Sequence, residues 1–400
     1  MEALKTLLNA LFLFIQLWVA SYLLITIFWV ICDILNIRKK AKLQNPNQSP
    51  AKEYHFAAIV TLHQNTIFAE PIIDSLIRQT YKNITIYVVA DDCAKINLPF
   101  SDERVHILYP ETPFHSKIKS IQYALKQAGD KYDALTIFDP DNLIHPDFFN
   151  KVNRLFQEGY RVVQGNLQPK NLDTDFARMD ALSDVYHNFI DRIIPARLGL
   201  SSHIWGLGIT IEKELYQSIV YQHFLGGFDK KMQAEMVKKT RIAYAEDAIV
   251  YDEKIKDGEA LQKQRTRWIN AFFRYWKNAF QVFMQGVKSF NFDLAFFGYN
   301  LMRPPLFLLV LASVFLTAVN IFISSTSFVI WLGVLAAFFI SFIYILQTGS
   351  MSTQKQKTIL TLPMFFVRQV KALLGIKKAN KNFLKTENNK VIFINELVQV

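Results

Sequence analysis

The sequence predicts an α/β protein, an open and mostly parallel sheet flanked by transmembrane helices. Three observations carry this reading. Residues 6–32 and 304–354 contain no Asp, Glu, Lys or Arg. Between these blocks, short apolar runs alternate with amphipathic helical stretches. Two of the runs end in paired aspartates, Asp91-Asp92 and Asp139-Pro140-Asp141.

The first apolar block exceeds the roughly 20 residues that span a bilayer, so residues 1–36 are read as a transmembrane helix. Its core is too long for a cleaved signal peptide, and no small-residue cleavage site follows. The second block holds "PLFLLVLASVFLTAVNIFI" and "SFVIWLGVLAAFFISFIYIL", divided by Ser324-Ser325-Thr326-Ser327, which predicts two helices within 296–349. Arg38, Lys39, Lys40 and Lys42 follow the first span, and the tail is Lys-rich from Lys355. The positive-inside rule therefore predicts a multi-pass cell-membrane protein with its central domain and C-terminus in the cytoplasm. Only two cysteines occur, Cys32 and Cys93, too few for a disulfide framework. The net charge of +11 is assigned to an anionic bilayer surface rather than to nucleic acid. No ionisable residue in the spans marks an ion path, which disfavours a transporter.

The soluble elements follow in order. A basic linker, 37–53, leads to a domain over 54–268. "FAAIVTL" (56–62) suits a buried parallel strand. "FAEPIIDSLIRQT" reads as a helix with Ile72, Ile73, Leu76 and Ile77 on one face. "ITIYVVADD" (84–92) and "RVHILYP" (104–110) are strands, "SKIKSIQYALKQAG" is a helix ending at Gly129, and "ALTIFDPDN" (134–142) is the next strand. Residues 269–295 are expected to form an amphipathic interface helix, with Phe272, Trp276, Phe280, Phe283 and Val287 as its stripe. Residues 350–400 are read as a basic cytoplasmic tail with an amphipathic helix and a possible gating segment.

In open parallel sheets, ligands bind beyond the carboxyl ends of the strands. Asp-Pro-Asp-Asn taken alone is an ordinary turn. Two acidic pairs at the ends of strands in one sheet are a different matter, because converging like charges need a cation to offset them. Oxygen-only ligands suit Mg²⁺ or Mn²⁺, and there is no Cys/His cluster with zinc spacing.

From Phe56 to Trp268 the chain resembles family-2 glycosyltransferases of the GT-A nucleotide-diphospho-sugar transferase fold. The likeness is greatest to their membrane-integrated branch, which includes the cellulose, chitin, hyaluronan and poly-N-acetylglucosamine synthases. The resemblance rests on "TLHQN", "SLIRQTYKN", "VVADDCA", "SKIKSIQ", "FDPDNLIHPDFF", "WGLGI" and the Q-x-x-R-W motif Gln264-Arg265-Thr266-Arg267-Trp268, in the family's order. It implies that Asp91 or Asp92 meets the nucleoside, with Thr61 and Asn65 near the base. Lys117 would face the diphosphate, Asp139 the ribose, and Asp141, with Asp139, the metal. Trp205, Gly206 and Gly208 would meet the acceptor, while Gln264, Arg267 and Trp268 complete the site. The catalytic base falls on Asp229 in "LGGFDKKMQAEM", where Phe228 replaces the family's Glu, with Asp247 or Glu246 as alternatives. Asp229 also suits a helix N-cap. Phe383 and Thr386 in "NFLKTEN" match a loop that closes over the nucleotide in some relatives.

The activity implied is inverting transfer of a sugar from a nucleoside diphosphate sugar, UDP-linked by preference, to a saccharide or lipid-linked acceptor in cell-surface polysaccharide synthesis. Single-sugar transfer to a lipid is one alternative, and a tethered nucleotide-sugar binder without turnover is another. Three spans are few for an export channel, which leaves room for a homo-oligomer or an export partner.

Overall fold

The computed structural model describes residues 1–39, 52–221, 227–349, 367–371, 373 and 391–398. Phe383 and Thr386, and most of the expected linker and tail, lie outside the described residues. Eight strands form one sheet: β1 (Phe56–His63), β2 (Ile84–Asp91), β3 (Val105–Leu108), β4 (Ala134–Phe138), β5 (Leu143–Ile144), β6 (Val162–Pro169), β7 (Ile209–Glu212) and β8 (Ile242–Asp252). Their spatial order is β3-β2-β1-β4-β7-β6-β8-β5. β7 is antiparallel to both its neighbours and β5 is antiparallel to β8, while the other pairs are parallel. The sheet is thus mixed and mostly parallel, of the GT-A kind.

β1 lies between β2 and β4 and shows why the sheet is buried on both faces. Phe56, Ala58, Val60 and Leu62 pack toward α2 (Ala69–Ile77) and α4 (Phe148–Gln157), against Ile72, Leu76, Phe148 and Phe149. Ala57 and Ile59 face the opposite way, toward Ile121 of α3 (Lys117–Ala128). Period-2 alternation with apolar residues on both sides is what a parallel strand between two helical layers requires. His63 is in register with Asp91, and Val60 with Phe138, so the acidic ends of β2 and β4 flank the end of β1 along one edge.

After β6 come α5 (Asp175–Asn188), a π-helical turn (Phe189–Ile193) and α6 (Ile194–Arg197), then α7 (Lys213–Gln217) and α8 (Phe228–Lys239). α9 (Gly258–Lys288) is one helix of 31 residues, capped by the Asp257 carboxylate on the Glu259 and Ala260 N–H groups. It runs without a break through 268/269, where the domain was expected to give way to an interface helix. α10 (Phe292–Leu301) folds back on α9, and a methyl group at Gly286 or Gly298 would overlap the facing backbone of Ala295 or Phe283. Phe273, Trp276, Phe280 and Val287 are exposed along α9.

α1 (Glu2–Ile34), α11 (Leu306–Ile323) and α12 (Ser325–Thr348) are long and apolar enough to cross a membrane. They pack together through buried polar links: the Gln16 Oε1 accepts from Asn320 Nδ2 and Trp331 Nε1, both at 2.7 Å. Arg197 of the soluble domain pairs with Asp33 at 2.9 Å, joining the two parts.

Candidate active site

The turn after β4 answers to both readings of its aspartates. Asn142 N–H donates to the Asp139 carbonyl (3.1 Å), and its side-chain oxygen accepts from the Asp139 N–H (2.9 Å), which closes the turn. The Asp139 carboxylate is meanwhile paired with the Lys117 ammonium at the start of α3. Lys117 also reaches the Gly206 carbonyl (3.4 Å) and stands 5.1 Å from the centre of the Phe228 ring. It is therefore not a solvated helix-start lysine. Asp141, half-buried in the same turn, accepts from Lys170 through its carbonyl at 3.0 Å.

Gly206 brings backbone against Asp229. Its φ of +86° is left-handed, and a Cβ there would stand 3.0 Å from the Asp229 Cβ, so glycine serves both conformation and space. The expected N-cap role of Asp229 is corrected: Gly227 caps α8, and Asp229 lies in its first turn. Burial pushes the Asp229 carboxyl up, against the pull of Lys230, the helix-start N–H groups and Lys117. A carboxylate poised this way is suited to accept a proton.

The rival bases are placed elsewhere. β6 pairs Gly165 with Ala245 and then Asn166 with Ile249, so residues 246–248 bulge out of β8. The bulge carries Glu246 to Arg197 (2.6 Å) and Asp247 to Arg154 (3.1 Å), and neither lines the cavity that holds Asp229.

That cavity, about 1280 Å³, is lined at one end by Thr61, Asp91, Lys117, Asp139, Trp205, Asp229, Arg267 and Trp268. Burial lowers the Arg267 guanidinium from its usual value while Asp139 opposes the shift, so the two face each other closely enough to interact. Trp268 offers a partly exposed indole, with the Arg265 guanidinium 4.2 Å from its centre. Gln264, Asn65, Asp92, Asp141, Gly206 and Gly208 do not line the cavity: Asp92 accepts from Gln64 Nε2 (2.8 Å), and Asn65 holds the Ile67 N–H (3.0 Å). Asp91 is buried, and its two oxygens take the N–H groups of Phe114 and His115 at 2.7 and 2.8 Å. It anchors the loop that delivers Lys117. Gly208 likewise supports the frame, its N–H donating to Ile137 at 2.7 Å.

Several contributors went unread. Gln164, fully buried in β6, accepts from the Trp205 N–H (2.9 Å) and donates to the Leu207 carbonyl (3.0 Å), fixing the Trp205–Gly208 loop. A glutamine amid "RVVQG" was the available signal. Arg192, in the π-helical turn, lies 3.4 Å from the centre of the Trp205 ring. Asp191 grips Arg303 through both oxygens at 2.6 and 2.8 Å. Asp180 pairs with Arg265 (2.5 Å), and Lys254 joins Asp184 (2.7 Å) to Asp252 (2.8 Å). Such long-range pairs leave no local trace in a sequence.

The donor set fits a hard divalent cation. Asn142 Nδ2 donates to Asp252 at 3.1 Å, setting this third carboxylate beside the turn that carries Asp139 and Asp141. Burial pushes Asp252 up, and Asp184 and Asp139 add to the rise against Lys254. Neighbouring oxygen donors, one of them a carboxyl that burial raises, are what Mg²⁺ or Mn²⁺ would relieve. His63, Asp91 and His115 also bring three donor atoms within 4.8 Å, but both Asp91 oxygens already hold main-chain N–H groups.

The fold is that of a GT-A nucleotide-sugar transferase. The chain belongs to glycosyltransferase family 2: the family model described as "Glycosyltransferase like family 2" matches residues 54–271, more than half of its length. A solved mannosyltransferase, PcManGT from Pyrobaculum calidifontis in complex with GDP-Man and Mn²⁺, is similar at 13% identity and a TM-score of 0.54. The match covers 90% of this chain and 98% of that one; at such identity it shows the fold alone. TarS 1–349 from S. aureus, in complex with UDP-GlcNAc, matches at 12% identity over 81% of this chain and 92% of its own. Its TM-score is 0.36. No curated protein matched the sequence at a significant level.

Proposed function

We propose that this glycosyltransferase is a membrane-bound, inverting enzyme that moves a sugar from a nucleoside diphosphate sugar, preferentially a UDP-sugar, to a saccharide or lipid-linked acceptor. The reading places the catalytic domain at the cytoplasmic face and the product in cell-surface polysaccharide synthesis. One observation carries it: Asp229, Lys117, Asp139 and Arg267 line a single cavity.

In this reading an acceptor hydroxyl attacks the anomeric carbon, and Asp229 takes its proton. The bond from that carbon to the diphosphate breaks, and the diphosphate departs with the electron pair. Lys117 and Arg267 face the charge that develops, where preorganised donors act most strongly. Asp139, Asp141 and Asp252 would hold the Mg²⁺ or Mn²⁺ ion, which when bound neutralises the diphosphate. Trp205 and Trp268 offer indole faces to the sugars.

The purified full-length protein, given Mn²⁺ and a series of donors, should release free nucleoside diphosphate, and Asp141→Asn should abolish the release. Wild-type protein that binds UDP and releases nothing would instead favour a tethered binder, the reading that Phe228 in place of an acidic residue supports.

A further inference from the structure

The same cavity continues past the soluble site into the membrane helices, and there its chemistry changes. Asn300, Arg303, Pro304 and Pro305 line its middle. Beyond them every lining residue contributed by α11 and α12 is Leu, Val or Phe, among them Phe307, Leu309, Val310, Phe338, Phe342 and Leu346. At about 1280 Å³ the space exceeds the roughly 300–1,000 Å³ of an ordinary small-molecule site, so a donor does not fill it.

Resting on the transferase reading above, we infer that the acceptor is a lipid-borne hydroxyl: its hydrocarbon chain lies between α11 and α12 while its hydroxyl meets Asp229. Two features decide against a naked saccharide in the deep half. Sugar hydroxyls seated against the Leu, Val and Phe wall of α11 and α12 would be desolvated without partners on that side, whereas a hydrocarbon chain loses nothing there. Arg303, the cation at the junction, already donates through Nη2 to both oxygens of Asp191, so the passage into the apolar half carries no unneutralised charge from that residue. The nucleophile follows from the base. A phosphate oxygen is already anionic and needs no proton removed, but a hydroxyl needs the carboxylate that Gly206 holds close. The oxygen–carbon bond forms, the carbon–diphosphate bond breaks, and the hydroxyl proton passes to Asp229.

Membranes containing the full-length protein, incubated with a radiolabelled donor established by nucleotide release, test this through the fate of the label. Label extractable into chloroform–methanol supports a lipid-borne acceptor. Val310→Trp, which fills the apolar half, should lower that label about tenfold or more, with the melting temperature of the purified variant as the check on folding. Leu306→Trp provides an independent second obstruction. Label found only in water-soluble saccharide, or lipid label undiminished in both folded variants, would overturn the proposal while leaving the transferase reading intact. Failure of the wild type to release diphosphate from any donor would instead remove the transferase reading, and the proposal with it.

Discussion

Lys117 shows how one residue's surroundings decide between a bland role and a chemical one. Its ammonium is shared among the Asp139 carboxylate, the Gly206 carbonyl and the face of Phe228. An acidic residue at position 228 would add a third carboxylate beside Asp139 and Asp229; the aromatic ring engages the cation without adding charge. Asp229 is then the base of the proposed mechanism. Asp229→Asn should retain donor binding while turnover falls about 10²-fold or more, measured by diphosphate release. The pH profile gives a second signature. Because burial raises this carboxyl, the base is protonated at low pH and activity grows as pH rises through its elevated pKa. The acid limb of kcat/KM should therefore lie above the ordinary Asp value of about 3.9 and disappear in the variant.

At the scale of elements, the π-helical turn joins the soluble domain to the start of α11 through Asp191 and Arg303. Burial alone would raise the Asp191 carboxyl, but the Arg303 guanidinium holds it well below the usual range. Burial also pushes His203 down to about 3, so it is neutral near pH 7. A carboxyl with a depressed native pKa contributes stability that is present above the unfolded value and lost as pH falls toward the native one. Asp191→Asn should cost about 3–5 kcal/mol at pH 7, because it strands a buried guanidinium, and the penalty should shrink below about pH 4, where the unfolded Asp protonates. Thermal melting in detergent at two pH values reads both effects. Packing of α10 on α9 makes a separate demand: Gly298→Val should lower stability by about 1–3 kcal/mol by forcing the helices apart. The same scale explains which elements were legible. β1, β2 and β4 carry unbroken apolar runs because both their faces are covered. β6 was missed because Gln164, Asn166 and Gln168 interrupt its pattern, and Gln164 is there to hold the Trp205 loop rather than to fill a core. β7 is only four residues long.

Over the whole molecule, the family's order of motifs made the fold and the charged end of the cavity readable, since Thr61, Asp91, Lys117, Asp139, Trp205, Asp229, Arg267 and Trp268 all line it. The sequence could not reveal the bulge that takes Glu246 and Asp247 to the surface, or the Asp91 carboxylate spent on a loop. Nor could it reveal that one cavity reaches from strand ends to membrane helices. Those features depend on contacts between residues far apart in the chain. The proposed function rests on an electrostatic arrangement, in which acidic strand ends would share a divalent cation with a diphosphate beside Lys117 and Arg267. Calorimetry of UDP with the full-length protein, with and without Mn²⁺, tests this most directly. The account predicts uptake at least about tenfold tighter with Mn²⁺, a gain that Asp139→Asn removes. Equal affinity with and without the ion, unchanged in the variant, would contradict it.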